Sequence, residues 1–237
     1  MTFYLIGLGL SLKGVSLESL EILRSCRKIY METYTVEIPY QIFRLEERIG
    51  KQITSLTRLM VEEEEFVKEG KKQDIALLVY GSPLMATTHI SLVMKAIKEK
   101  VPYRVIHNAS ILDAISETGL QVYKFGKTAS MPSWQANYQP DSFAKIIADN
   151  QKIKAHTLIL VDIGLLFRDS LNQLKIAVNN HKVKLDKIIV CSRLGMEDSK
   201  IYHGRINQLS GSDIFPPFCF IIPGELHFAE QEFLDKI

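Results

Sequence analysis

A run of apolar residues of strand length, Leu77-Leu78-Val79-Tyr80, stops at a Gly81-Ser82-Pro83 corner. Leu84-Met85-Ala86-Thr87-Thr88-His89 follows, and Ile90-Ser91-Leu92-Val93-Met94-Lys95-Ala96-Ile97 then takes up helical spacing. Strand, tight loop and helix in that order point to a parallel α/β sheet, where ligands sit in the loops beyond the carboxyl ends of the strands. Small residues in such a loop bring backbone close to something flat or polar, and a side chain at Gly81 is expected to crowd it. An ordinary βα turn has the same composition.

The preceding chain repeats this theme. Thr2 to Gly7 is strand-like and runs into Gly7-Leu8-Gly9-Leu10, where a phosphate-cradling turn could lie. The dinucleotide fingerprint then fails, because its third glycine would fall at Leu12. Ser16 is placed to cap a helix over 17–23, with Ser19 and Glu21 toward water and Leu17, Leu20, Ile22 and Leu23 toward the sheet. Lys28 to Glu32 returns as a strand. The cluster Glu32-Thr33-Tyr34-Thr35 at its end either lines a cleft or simply ends the element. Gln41 to Glu69 is helix-prone, and its acidic run Glu62-Glu63-Glu64-Glu65 reads as one solvated helix face, not a metal site.

After the central helix, Tyr103 to Ile106 is a strand closed by His107-Asn108-Ala109-Ser110, and Ser110 can cap a helix over 111–116. Adjacent parallel strands ending at Gly81 and at Ser110 would form one side of a crevice. Gly119 to Gly126 opens the second half. Lys127 to Asp141 reads as a long loop carrying the only tryptophan, Trp134, and loops of that length are often functional. Helices are expected over 142–153, 171–179 and 226–237, and strands over 157–163, 187–192 and 218–224. A chain of 237 residues suits two such domains. The expected division is 1–112 and 113–237.

Composition removes several function classes. A net charge of +2 is too small for the basic surface that grips nucleic acid by counterion release. No apolar run reaches the roughly 20 residues of a membrane span. The start, Met1 to Gly7, has no basic leader or small-residue cleavage site, so a cytoplasmic protein is expected. Cys26, Cys191 and Cys219 are scattered among apolar residues and read as buried free thiols. There is no Gly-x-Ser-x-Gly elbow, phosphate loop, kinase or zinc-hydrolase motif. Structural or surface roles suit His107, His156 and His181, whereas His89, His203 and His227 lie in or beside loops where a ligand could be met.

The segments Gly7-Leu8-Gly9-Leu10, Gly81 to His89, Val105 to Ile111, Gly119 to Lys127, His156-Thr157-Leu158, Asp162-Ile163 and Pro223-Gly224-Glu225-Leu226-His227 together resemble the diphthine synthase family. That family is tetrapyrrole-methylase-like. The resemblance implies two α/β domains with a cleft for S-adenosylmethionine between them, and a homodimer. It implies methylation of a modified histidine, a diphthamide precursor, on translation elongation factor 2, with no membrane or nucleic acid involved. Position by position, it implies cofactor contacts at Leu10, Ser82, Met85, Ser110, Ile111, Val161, His203 and His227, most of them through backbone or shape. Ser82 departs from the family's usual aspartate, and a contact made by the backbone amide would survive that change. Asn108-Ala109-Ser110 and Pro140 to Phe143 look more like eukaryotic members, which add four methyl groups, than archaeal ones, which add three. Methyl transfer demands alignment and exclusion of water, and no triad or general base is assigned. Trp134, Tyr138 and Lys127 suit contact with a protein substrate. Two other classes fit the same loops, a related methylase of a small molecule and a non-catalytic α/β binding module.

Overall fold

Runs of three to six residues, most of them apolar, become the strands of two separate sheets in the computed structural model, which describes residues Met1–Ile237. The chain divides into the units Met1–Asp113 and Ala114–Ile237. No helix is long and apolar enough to cross a membrane.

The first unit runs β1 (Phe3–Gly7), α1 (Leu17–Ser25), β2 (Lys28–Glu32), α2 (Ile42–Ile49), β3 (Thr54–Leu56), α3 (Arg58–Glu63), β4 (Ile75–Val79), α4 (Ile90–Lys98), β5 (Tyr103–Ile106) and α5 (Ile111–Ala114). Its strands pair in the order β3-β2-β4-β1-β5, all parallel. Strand periodicity splits β4 between two cores. Ile75, Leu77 and Val79 pack with Phe3, Leu5 and Leu92 on one face. Ala76 and Leu78 pack with Ile6, Leu8, Leu23 and Met31 on the other. Because β1 lies between β4 and β5, the strands that lead to Gly81 and Ser110 are not adjacent as expected, and a third loop stands between theirs.

Two local expectations are corrected here. Ser16 does cap α1, accepting from the Ser19 amide at 3.1 Å, but Ser19 is buried and Leu17 is 80% exposed. At about 100° per residue the buried stripe runs through Ser19, Leu23 and Leu20, and Leu17 lies beyond its edge. The acidic run is not one helix face: α3 ends at Glu63, Glu64 turns left-handed at φ 57°, and Glu65 opens a 3-10 segment. There Glu65 pairs with Lys68 at 2.6 Å and with Lys95 at 3.2 Å. The helix-prone stretch also contains β3, a strand of three residues.

The second unit runs β6 (Ala129–Met131), α6 (Ser142–Lys152), β7 (Thr157–Val161), α7 (Phe167–Asn180), β8 (Lys187–Ser192), β9 (Lys200–Arg205), α8 (Ile206–Leu209), β10 (Phe218–Ile222) and α9 (Phe228–Leu234). The sheet order is β6-β7-β10-β8-β9, parallel only between β6 and β7. Phe143, Ile147, Ile159, Leu174, Ile188, Val190 and Phe220 are buried in one core. The expected loop 127–141 therefore contains an edge strand, β6. Trp134 is half-buried against the core, and its indole N–H donates to the Pro140 carbonyl at 2.9 Å. It holds its own segment down while staying half-exposed, and Tyr138 is 64% exposed. All three cysteines are free and buried.

Candidate cofactor site

In the first unit three loops meet at the carboxyl end of the sheet. The Gly9 amide donates to the Gly81 carbonyl at 3.1 Å and the Gly81 amide returns a bond to the Gly9 carbonyl at 3.0 Å, so the loops after β1 and β4 are zipped together. Asn108, from the loop after β5, donates its side-chain amide to the carbonyls of Gly7 and Gly14 at 3.1 and 3.0 Å. Its side-chain oxygen accepts from the Ala109 amide at 2.8 Å. Gly7 is the point of closest approach. A Cβ there would stand 2.6 Å from the Gly81 carbonyl oxygen, 2.9 Å from Pro83 Cδ and 3.1 Å from Asn108 Cβ.

Gly81 differs from Gly7. A Cβ there would find nothing nearer than the Ala109 carbonyl at 3.8 Å, but its φ of +75° lies in the left-handed region. An alanine at Gly81 therefore strains the backbone without crowding the loop.

Leu10, Ser82 and Ser110 are buried at this end of the sheet. The Leu10 carbonyl accepts the Tyr80 hydroxyl at 2.8 Å. Ser110 gives its amide and its hydroxyl to one oxygen of Asp113, at 2.7 and 2.9 Å, and its Oγ also accepts from the Leu112 amide at 3.2 Å, which caps the turn where Ile111 opens α5. Met85 donates its amide to the Ser82 carbonyl at 3.2 Å and leaves its side chain 44% exposed.

The loop after β2 is tied to the same place. Glu32, buried, accepts the amides of Tyr34 and Thr35 at 3.1 Å each and also the Thr35 hydroxyl, so this carboxylate ends its strand by shaping a turn. The Tyr34 hydroxyl meets His89 Nε2 at 3.4 Å, and His89 Nδ1 lies 3.1 Å from the Pro83 carbonyl. A carbonyl only accepts, so Nδ1 carries the proton and Nε2 accepts from Tyr34. His89 is 1% exposed. It braces the Gly81 loop from beneath, and the expectation that its ring could meet a ligand is corrected.

In the second unit the three expected contacts are spread out. Val161 ends β7 and packs on the core. His203 lies on β9, with β10 and β8 between it and β7, and pairs through Ile189 and Ile221 to the level of Leu158. That places it roughly 14 Å across the sheet from β7 at about 4.8 Å per strand. His203 Nδ1 donates to the Leu234 carbonyl at 3.0 Å. His227 is exposed and caps α9, its Nδ1 accepting from the Ala229 amide at 3.4 Å.

Beneath His227 lies a buried cluster that sequence reasoning missed. Glu230, 1% exposed, accepts from the amides of Gln121 and His227 at 2.8 and 2.7 Å, from Lys124 Nζ at 2.5 Å and from His156 Nε2 at 3.2 Å. His156 Nδ1 accepts from the Gly224 amide at 2.8 Å, so Nε2 carries the proton of a neutral ring. Burial pushes this imidazole below its ordinary value, against the pull of Glu230. For Glu230 burial acts to raise the carboxyl, but the bonds from Lys124, Gln121, His227 and His156 outweigh it and hold the pKa at about 2.

The polar groups around Gly7 are backbone, hydroxyl, the Asn108 side-chain amide and the Met85 thioether, with no arginine or lysine among 7–10, 81–85 and 108–111. This set lacks the cations that hold a pyrophosphate, and the helix that follows the Gly7 loop, α1, begins only at Leu17. It suits a flat, partly apolar cofactor of low net charge, and a Cβ at Gly81 would stand in ordinary van der Waals contact with the Ala109–Ser110 backbone.

The family model for tetrapyrrole (corrin/porphyrin) methylases matches residues 2–210. The chain belongs to the tetrapyrrole methylase family. It is 36% identical to a diphthine methyl ester synthase of Schizosaccharomyces pombe, covering 98% of this chain and 93% of that protein. It is also 36% identical to a diphthine synthase of Methanococcus aeolicus, covering 97% and 95% respectively. A crystal structure of diphthine synthase superposes with a TM-score of 0.89 at 29% identity, covering 100% of this chain and 95% of that one. As a methylase of this family, the protein has at Gly7, Gly81 and Asn108 a convergence of loops with the donor chemistry described above.

Proposed function

We propose that the protein is an S-adenosylmethionine-dependent methyltransferase that methylates the modified histidine of translation elongation factor 2 on the way to diphthamide. What carries this reading is similarity to diphthine synthases across nearly the whole chain, joined to the meeting of three loops around Gly7. S-adenosylmethionine supplies, when bound, a methyl group activated on a sulfonium centre. Leu10, Ser82, Met85, Ser110 and Ile111 hold the cofactor by backbone and shape, while Tyr80, Asn108 and the Tyr34–His89 pair hold those loops in place. Val161, His203 and His227 are proposed as further contacts, each open to substitution by itself. The chain's task is to align the acceptor with the methyl group and to keep water out.

The acceptor is elongation factor 2 carrying the aminocarboxypropyl-histidine intermediate, and the protein works as a cytoplasmic homodimer. Binding is tested by calorimetry with S-adenosylhomocysteine. One site per chain is expected, and no heat together with no thermal shift at millimolar ligand contradicts the reading, because a bound ligand stabilises the fold by mass action. The relatives at 36% identity include both a methyl ester synthase and a diphthine synthase. The mass gained by the acceptor therefore decides whether three or four methyl groups are added.

A further inference from the structure

One buried side-chain polar atom has no hydrogen-bond partner, the hydroxyl of Tyr40. Its ring lies against that of Tyr80, with centroids 6.4 Å apart and planes tilted by 48°. Tyr80 directly precedes Gly81, and its own hydroxyl donates to the Leu10 carbonyl at 2.8 Å. Tyr40 thus stands one ring away from the loops gathered at Gly7. It belongs to the link between β2 and α2, a stretch without helix or strand, and β2 is the neighbour of β4 on the side away from β1. That link flanks the three-loop cluster.

A buried hydroxyl without a partner is unfavourable and uncommon in folded proteins. The packing of Tyr40 does not need the oxygen, since a phenylalanine would make the same ring contact with Tyr80. Burial pushes the phenol up to about 12. At neutral pH it is a hydrogen-bond donor that does not ionise, and it matches an anionic oxygen better than a cation.

We propose that Tyr40 is a ligand-contacting residue of this site, its hydroxyl donating a hydrogen bond to the carboxylate of an α-amino-acid group. S-adenosylmethionine and the aminocarboxypropyl arm of the acceptor share that group, so the inference rests on the proposed function. The hydroxyl is enclosed in this state, and it pairs as the link between β2 and α2 yields to the incoming carboxylate.

Tyr40→Phe removes the oxygen alone. The ligand-free variant is expected to unfold at or above the wild-type Tm, and a clear fall in Tm overturns the proposal by showing that the hydroxyl is needed for the fold. Titration with S-adenosylhomocysteine, which keeps the cofactor's carboxylate, and steady-state methylation of the modified factor separate the two sources. A loss of about tenfold or more in affinity for S-adenosylhomocysteine with an unchanged KM for the acceptor assigns the cofactor's carboxylate, and the reverse pattern assigns the acceptor's. Unchanged values in both arms overturn the contact and leave the proposed function standing. Equal losses in both arms also overturn it, because they report a reshaped loop. A wild-type protein that binds no S-adenosylhomocysteine removes the proposed function itself, and the Tyr40 contact with it.

Discussion

Gly7 and Gly81 occupy the same loop cluster for different physical reasons, and substitution separates them. Gly7→Ala drives a methyl group into backbone that cannot retreat, with the Gly81 carbonyl oxygen 2.6 Å away. Overpacking of this kind costs about 1–3 kcal/mol of stability, and affinity for S-adenosylhomocysteine is expected to fall about tenfold or more. Gly81→Ala meets no such wall but holds alanine at φ +75°, a strain of about 1–2 kcal/mol. Denaturant unfolding and calorimetry on both variants check this, and wild-type affinity in Gly7→Ala would place the ligand elsewhere. Glycine identity was legible in the sequence, whereas the crowding at Gly7 and the looser contact at Gly81 depend on partners distant in the chain. Asn108 shows the same limit: read alone it ends a strand, and only the fold brings its amide to Gly7 and Gly14. Tyr80 left a faint signal, an aromatic with a polar tip next to a glycine at a strand end. Trp134 was visible as a large aromatic in a loop, but the core that covers it comes from other elements.

Among elements, long apolar runs such as those of β4, β7, β8 and β10 announce themselves by burial, and α4 and α6 by helical spacing. The short edge strands β3 and β6, of three residues each, lack enough period to be read, and β9, Lys200–Arg205, is only half covered by its neighbours. The attachment of α9 was also hidden, because it depends on Glu230 reaching Lys124 and His156 far back in the chain. This attachment makes a pH prediction. The unfolded Glu230 carboxyl takes up its proton near the ordinary 4.5 and the folded one only near 2, so the stability it contributes is full above pH 4.5 and is lost as pH falls toward 2. His156, held below its ordinary 6.5, adds a loss that begins as pH drops below 6.5. Glu230→Gln is expected to cost about 3 kcal/mol at pH 7, with the difference from wild type shrinking as pH approaches 2. Urea midpoints measured across that range check it, and a difference independent of pH would show that the carboxylate's charge is not what holds α9. At the other bracing point, Tyr34→Phe removes the hydroxyl that meets His89 Nε2. It is expected to weaken S-adenosylhomocysteine binding by less than about tenfold, since the loop keeps its Gly9–Gly81 bonds, and a larger loss would make Tyr34 a direct ligand contact.

For the molecule as a whole, two α/β units with separate cores were legible, because strand and helix periods alternate along the chain and glycine and proline mark the turns. The mixed pairing of the second sheet was not, since the last strand of the sequence inserts between β7 and β8. Light scattering is expected to return twice the 27.0 kDa of one chain, and a single-chain mass would contradict the proposed homodimer. Methylation of elongation factor 2 at its modified histidine is the central claim, and one comparison tests it most directly. The protein is incubated with labelled S-adenosylmethionine and either unmodified elongation factor 2 or the form carrying the aminocarboxypropyl-histidine, and the intact products are weighed by mass spectrometry. The modified form should gain the mass of three or four methyl groups and the unmodified form none; equal labelling of the two forms, or no labelling of either, would contradict the assignment.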